Sequence, residues 1–146
     1  MKVVIQRTKN AKVEINNSVN GSIENGLVIL VGFTYGDTIE DIEYMVNKII
    51  NLRIFDDENG VMNKSILEVG GTILSISQFT LYADCKKSGN RPSYSKAMKA
   101  SEASLMYDLF NKKLSTYVNV GTGIFGSDMK VSITNDGPVT ILLESE

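Results

Sequence analysis

The side chains best suited to chemistry lie in the segment SQFTLY at residues 77–82, which ends an alternating apolar run and precedes a polar loop. Thr80 is the best candidate for a nucleophile or for positioning water, since a threonine hydroxyl attacks a carbonyl when a base activates it. The backbone N–H groups of Phe79 and Thr80 lie at a predicted strand end, where fixed donors can stabilise an oxyanion. Thr80 and these two backbone donors are therefore candidates for chemistry at a carbonyl group.

Histidine is absent from the chain, which removes the commonest general base near neutral pH, every Ser-His-Asp arrangement and the zinc motif HExxH. The chemistry must then use hydroxyls, carboxylates, backbone groups or the substrate itself. The single cysteine, Cys85, makes no internal disulfide and offers no metal-ligand spacing. We therefore assign neither a metal nor a cofactor.

A second informative segment, NDGPVT at residues 135–140, places one of the two prolines between two runs that are typical of strands. Proline has no N–H and does not fit a central ladder, so Pro138 marks a turn, an edge or a cis peptide bond. The neighbouring Asn, Asp and Gly are ordinary turn residues, so the residues alone also allow a simple hairpin connection.

The elements that position these segments follow from the hydrophobic pattern. Alternating or continuous apolar runs predict strands at residues 2–15, 27–33, 72–79, 118–125, 129–134 and 139–143. Apolar residues at helical spacing predict one helix capped by Asp37 and Glu40 and a second at residues 101–117, preceded by a helical turn at 93–99. The pattern predicts one α/β domain: a curved, barrel-like, largely antiparallel sheet with two main helices packed on it.

Bulk properties agree with one soluble domain of 146 residues, of which 42% are hydrophobic and 22% charged. No apolar run is long enough to span a membrane, and the start turns polar too soon for a signal peptide, so we expect a cytoplasmic protein. The net charge of -2 counts against a general nucleic-acid binder. Residues 85–99, however, hold five basic side chains and no acidic one, which suits docking of an RNA end.

Together, SQFT and NxGPVT resemble the signatures of the D-aminoacyl-tRNA deacylase family. Further similar blocks cover essentially the whole chain: Arg7, LRIF at 52–55, MN at 62–63, RPS at 91–93 and GIFGSDM at 123–129. The resemblance implies hydrolysis of the ester that joins a D-amino acid, or mischarged glycine, to the 3′ end of tRNA. Both a threonine-centred route and a route assisted by the terminal ribose hydroxyl have been proposed for the family, and the missing base favours the second.

The resemblance also implies roles for individual residues. Catalysis falls to Thr80, Phe79 and Gln78. The carbonyls of Gly137 and Pro138 enter the neighbouring subunit's pocket and exclude an L side chain, which requires a homodimer. Apart from the resemblance, the residues themselves offer weaker candidates: Ser77 and Gln78 to orient the substrate or cap a strand end, Phe125 and Met129 for an adenine wall, and Lys86, Lys87 and Arg91 for tRNA phosphates.

Simpler interpretations stand beside these. Phe125 and Met129 are equally typical of core, the three basic residues of a solvated loop, and Arg7 of a structural ion pair or a support for the Gly137 segment. The rival functions are a non-catalytic module that binds RNA ends or nucleotides, and a small dimeric scaffold. Turnover of a D-aminoacyl-tRNA distinguishes the enzyme from both.

Overall fold

The computed structural model describes residues 1–86 and 89–145. Within these residues the chain forms eight strands, three α-helices and one 3₁₀ turn. In chain order they are β1 (Lys2–Ile15), β2 (Ser18–Ile23), β3 (Gly26–Gly32), α1 (Ile39–Asn51), β4 (Phe55–Asp56), β5 (Met62–Lys64), α2 (Ile66–Val69), β6 (Thr72–Ser77), the 3₁₀ turn (Phe79–Tyr82), α3 (Ala100–Leu114), β7 (Val120–Thr122) and β8 (Lys130–Glu144).

The main sheet is built around the long strand β1, which pairs antiparallel with β2, β3 and β8. Strands β3, β6 and β7 continue the sheet in parallel, in the order β2-β1-β3-β6-β7. The Asn20 side chain of β2 donates to the Thr122 carbonyl of β7 at 2.7 Å, so the sheet nearly closes on itself. The predicted α/β, barrel-like domain with two main helices is confirmed.

Helices α1 and α3 cover one face of this sheet. The apolar stripe of α1, including Met45 and Ile49, packs with Phe110 of α3 and Ile29 of β3 in the larger core. A smaller cluster on the other face contains Val13, Val28, Leu74 and Ile76. Among the described residues, no helix is long and apolar enough to cross a bilayer.

The predicted cap of α1 is wrong. Thr38 is the N-cap, and the Asp41 carboxylate accepts from the Thr38 N–H at 2.8 Å to form the capping box. Asp37 is unavailable for this role because its carboxylate binds the Met1 ammonium at 2.6 Å and the Thr34 N–H at 2.7 Å. Ile39 occurs at the helical spacing that predicts the apolar face of this helix, yet its side chain is exposed.

The second main helix is shorter than predicted, and the helical turn expected at 93–99 is absent from the described structure. Ser93 instead forms a β-bridge with Asp84, and Ala97 forms one with Thr34. The segment closes a single turn, in which the Ala97 N–H donates to the Tyr94 carbonyl at 3.0 Å, and the Met98 N–H then pairs with the Phe33 carbonyl instead of continuing a helix. Helix α3 ends at Leu114, which leaves Tyr117 exposed rather than on the buried face.

The strand boundaries around the two signature segments also differ. The two strands predicted at 129–134 and 139–143 are parts of one strand, β8, which begins at Lys130, so the hairpin interpretation of residues 135–140 is wrong. The strand predicted at 72–79 ends at Ser77. The Gln78 N–H still donates to the Val31 carbonyl of β3 at 2.7 Å, and the chain then enters the 3₁₀ turn. The strand predicted at 118–125 is reduced to β7.

Candidate active site

A cavity of about 570 Å³ lies where the parallel strands β3 and β6 end. Ligand sites are common beyond the carboxyl ends of parallel strands. One wall holds Ser77, Gln78 and Phe79, and the loop between β7 and β8 supplies Phe125 and Met129. The structure therefore brings five of the predicted site residues together in one cavity.

The 3₁₀ turn beside this cavity exposes two backbone donors. Within the turn, the Leu81 N–H donates to the Gln78 carbonyl at 3.3 Å, and the Ala83 N–H donates to the Thr80 carbonyl at 3.0 Å. The leading amides of a helical turn have no partner inside it. Accordingly, the N–H groups of Phe79 and Thr80 have no hydrogen-bond acceptor among the described residues.

Gly32 at the end of β3 allows the turn to lie this close to the sheet. A Cβ atom built on Gly32 would lie 2.8 Å from the Gln78 carbonyl oxygen and 3.3 Å from the Leu81 Cβ. A larger residue would push away the peptide that carries the Phe79 N–H. This glycine was not predicted, since a Gly at the end of an apolar strand carries no distinctive signal until the residues that pack over it are known.

Thr80 lies next to the cavity rather than in its described lining. The Gln78 side-chain amide donates to the Thr80 hydroxyl oxygen at 2.5 Å. An amide N–H is not a base, so this hydrogen bond orients the hydroxyl but does not remove its proton. The structure thus joins Gln78 to Thr80 without supplying the activating group that a threonine nucleophile needs.

The described lining of the cavity is electrically neutral. It contains no Asp, Glu, Lys, Arg or Cys, and Tyr94 is its one titratable side chain. Tyr94 packs edge-on against Phe79, with ring centroids 5.1 Å apart, and both rings are exposed at the rim. Tyr94 was not predicted, because a lone tyrosine in a polar segment carries no distinctive sequence signal.

Phe125 and Met129 serve both as cavity wall and as packing. Phe125 packs against Tyr107 with ring centroids 6.0 Å apart, while Met129 lies over Gly123, where an added Cβ would approach its sulfur to 2.3 Å. Burial raises the pKa of the Tyr107 phenol, which donates to the Ser75 carbonyl at 2.8 Å and stays neutral. Both residues line the cavity and pack against the core, and their predicted role as an adenine wall stays a prediction.

The Gly137–Pro138 segment is a large bulge in β8. Gln6 pairs with Thr140 and Thr8 with Asn135, so four residues of β8 stand opposite the single residue Arg7 of β1. The Gly137–Pro138 peptide bond is cis, and both residues are exposed. Neither belongs to the described lining of the chain's own cavity.

Arg7, on the neighbouring strand β1, anchors this bulge. Its side chain is buried, with Nε donating to the Asp136 carbonyl at 3.2 Å and lying 3.3 Å from the Asp136 carboxylate. Its Nη1 donates to the Ile54 carbonyl at 2.8 Å and to the Asp56 carboxylate at 3.2 Å. Both interpretations offered for Arg7 therefore apply, since it is a structural ion pair that also supports the Gly137 segment.

Comparison with known proteins identifies the family. The model of the D-Tyr-tRNA(Tyr) deacylase family matches residues 4–144. The chain belongs to this family. It is therefore an ester hydrolase that acts on D-aminoacyl-tRNA, an activity of proofreading in translation.

Two solved structures resemble this deacylase over their full length. The c-Myc DNA Unwinding Element Binding Protein is 41% identical, with a TM-score of 0.93, and the match covers 100% of this chain and 99% of that chain. A probable eukaryotic D-amino acid tRNA deacylase is 17% identical, with a TM-score of 0.83 and coverage of 97% of each chain. The second comparison shows the shared fold alone.

The predicted phosphate-binding residues of the deacylase lie in the loop after the 3₁₀ turn. Lys86 is exposed and lines a second, smaller cavity, and Arg91 is exposed in the same loop. Lys87 lies outside the described residues. The described residues contain no group of three or more His, Cys, Asp or Glu side chains arranged to hold a metal ion.

Proposed function

We propose that the chain acts as a homodimer that clears D-amino acids, and mischarged glycine, from tRNA with main-chain groups rather than acid–base side chains. The single observation that supports this most strongly is the neutral cavity bordered by two unpaired backbone amides, those of Phe79 and Thr80. Ester hydrolysis needs an oxyanion site, and these amides are preorganised donors beside the cavity.

In this proposal the amides of Phe79 and Thr80 bind the oxyanion that forms when the ester carbonyl is attacked. Removing one such donor typically slows acyl transfer by about 10²–10³-fold. Ser77 and Gln78, which line the same wall of the cavity as Phe79, orient the aminoacyl ester. Phe125 and Met129 contact the terminal adenine, whose flat apolar surface suits their side chains.

Proton transfer in the proposed reaction falls to the substrate. Water attacks the ester carbonyl and the bond to the ribose oxygen breaks. The proton passes from the water through the free ribose hydroxyl to the departing oxygen, because the described cavity lining provides no carboxylate or amine to act as base. Thr80 positions groups through Gln78 and forms no covalent intermediate. This assignment agrees with a hydroxyl that accepts a hydrogen bond from an amide.

Chiral selection in the proposal comes from the partner subunit. The α-ammonium group of the substrate needs hydrogen-bond acceptors, and the cavity lining of one chain offers no carboxylate for it. The Gly137 and Pro138 carbonyls lie on an exposed bulge outside their own cavity, held in place by Arg7. In a two-fold dimer each bulge serves the other cavity, and its rigid backbone leaves no room for an L side chain.

Single-turnover hydrolysis of D-tyrosyl-tRNA and L-tyrosyl-tRNA tests the proposal. Catalytic amounts of the protein should release D-tyrosine and spare the L ester. Thr80→Ala, with Thr80→Ser and Thr80→Val as size controls, should lose less than about a hundredfold, the scale of one positioning interaction. Loss of several thousandfold in folded Thr80→Ala, with Thr80→Ser active, would instead identify a nucleophile.

The oligomeric state tests the role of the partner. Sedimentation across a dilution series, run beside the activity assay, should show a dimer whenever the D ester is selected over the L ester. A monomer with full chiral selectivity would contradict the trans arrangement.

A second candidate function is binding of nucleic acid without hydrolysis of an ester. The similarity to the c-Myc DNA Unwinding Element Binding Protein is the observation that suggests it. The net charge of -2 argues against a broad duplex-binding surface. Tight binding of single-stranded DNA together with no release of D-tyrosine would favour this second function over the first.

A further inference from the structure

A second small cavity lies beside the 3₁₀ turn. It has a volume of about 310 Å³, and the charged residues of its described lining are Lys2, Lys86, Lys96 and Asp84. We call it the basic pocket. The lining holds three lysines and one aspartate, and Lys2 also pairs with Glu144, so these five groups carry a single excess positive charge in a chain whose net charge is -2.

The basic pocket and the active-site cavity are lined by neighbouring parts of the same two chain segments. Along the 3₁₀ turn, Phe79 lines the cavity and Tyr82 lines the basic pocket. The rise of about 2 Å per residue puts the two ends of this turn about 6 Å apart. In the neighbouring segment, Tyr94 lines the cavity and Lys96 the basic pocket. A polymer that leaves the cavity over the Phe79–Tyr94 rim therefore reaches the basic pocket next.

The acidic partners of these lysines hold them weakly. Lys96 lies 3.7 Å from Asp84, and Lys2 lies 3.0 Å from Glu144, with both pairs partly exposed. Exposed ion pairs contribute little to stability, so a phosphate can replace the carboxylates at small cost. The Lys96 backbone, in contrast, is fixed, because its carbonyl accepts from the Thr34 hydroxyl at 2.6 Å.

We propose that the basic pocket binds a backbone phosphate of the unpaired 3′ end of tRNA, adjacent to the terminal adenosine held in the cavity. The inference rests on the proposed function and adds Lys2 and Lys96 to the candidate tRNA contacts. Lysine ammonium groups are common phosphate ligands, and such contacts position a strand without reading its bases. Burial raises the pKa of Tyr82, whose phenol therefore stays protonated beside the phosphate and able to donate.

Two substrates separate this site from the catalytic cavity. D-tyrosyl-tRNA carries the ester, the terminal nucleoside and the phosphates, whereas D-tyrosyl-adenosine carries only the ester and the nucleoside. Lys96→Gln and Lys2→Gln should each raise KM for the tRNA substrate at least threefold at low salt, with kcat kept. KM for D-tyrosyl-adenosine should not change. Each variant should also reduce the slope of log KM against log salt by about 0.7, the value for one phosphate contact in a single strand.

Lys113→Gln is the matched control, since Lys113 also pairs with one carboxylate, Glu43, at 2.7 Å but lies on α3 outside the described lining of the basic pocket. It should leave both KM values and the salt slope as in the wild type. Equal effects of Lys96→Gln on the two substrates, or none on either, would overturn the inference. If the wild type hydrolyses neither substrate, the proposed function itself fails.

Discussion

Replacing Gly32 with alanine tests whether the close approach of the 3₁₀ turn to β3 sets the rate of deacylation. The added Cβ would lie 2.8 Å from the Gln78 carbonyl oxygen, whereas ordinary contact begins at 3.4 Å, so this oxygen must retreat by about 0.6 Å. The Gln78 carbonyl and the Phe79 N–H belong to one planar peptide, so both move together. A misplacement of about 1 Å can cost 10²-fold in rate, so 0.6 Å should cost about tenfold.

Gly121→Ala is the matched control, because a Cβ built there lies 3.5 Å from its nearest neighbour, Leu74 Cδ1. Single-turnover rates on D-tyrosyl-tRNA and urea unfolding should be measured for both variants. We expect Gly32→Ala to be slower by about tenfold, equivalent to about 1.4 kcal/mol in the barrier, and to remain folded. A wild-type rate for Gly32→Ala, or an equal loss for Gly121→Ala, would show that this peptide does not act on the substrate.

Three further expectations concern the bulge and the fold. Arg7→Met should lower the free energy of unfolding in urea by about 2–4 kcal/mol, since buried charge-assisted hydrogen bonds are lost, whereas the exposed Arg53→Met should lower it by less than about 1 kcal/mol. Gly137→Ala should reduce the ratio of D to L hydrolysis, because φ is +123° and the new Cβ would lie 2.8 Å from Val139 Cγ2; Gly60→Ala, in an open turn, should keep the ratio. Hydrogen bonding from the Thr38 N–H lowers the pKa of Asp41. The free energy of unfolding in urea should therefore fall as the pH drops below the ordinary aspartate value of 3.8, and this fall should be smaller in Asp41→Asn.

The architecture was predictable where one pattern governs a whole element. The buried positions of α1 recur at helical spacing, and β3 is a continuous apolar run, so both elements could be placed from sequence. Element ends were less predictable because distant partners decide them. Asp37 lost the capping role to Thr38 only because the Met1 ammonium and the Thr34 N–H bind its carboxylate.

The site was predictable to the extent that its residues are consecutive in the chain. Ser77, Gln78 and Phe79 form one wall of the cavity, and the resemblance to the deacylases located them. Gly32 and Tyr94 were not predictable, since their importance depends on what packs against them across the fold. The continuity of β8 through Pro138 was also not predictable, because the bulge of four residues interrupts the alternation of apolar and polar residues by which a strand is predicted.

In the proposed function, main-chain groups take the place of a histidine base. A side-chain base would need neighbours that shift its pKa and hold its rotamer, and the described lining of the cavity contains no charged group for either purpose. Backbone amides need only a fixed turn, which Gly32 permits and the hydrogen bond from the Gln78 N–H to Val31 secures. The proposed chiral selection follows the same principle: the bulge that Arg7 anchors excludes a side chain by its position, without acid–base chemistry. Selectivity should therefore depend on how rigidly these two backbone segments are held, so stabilising their anchors should sharpen discrimination more than altering the chemistry of the cavity wall.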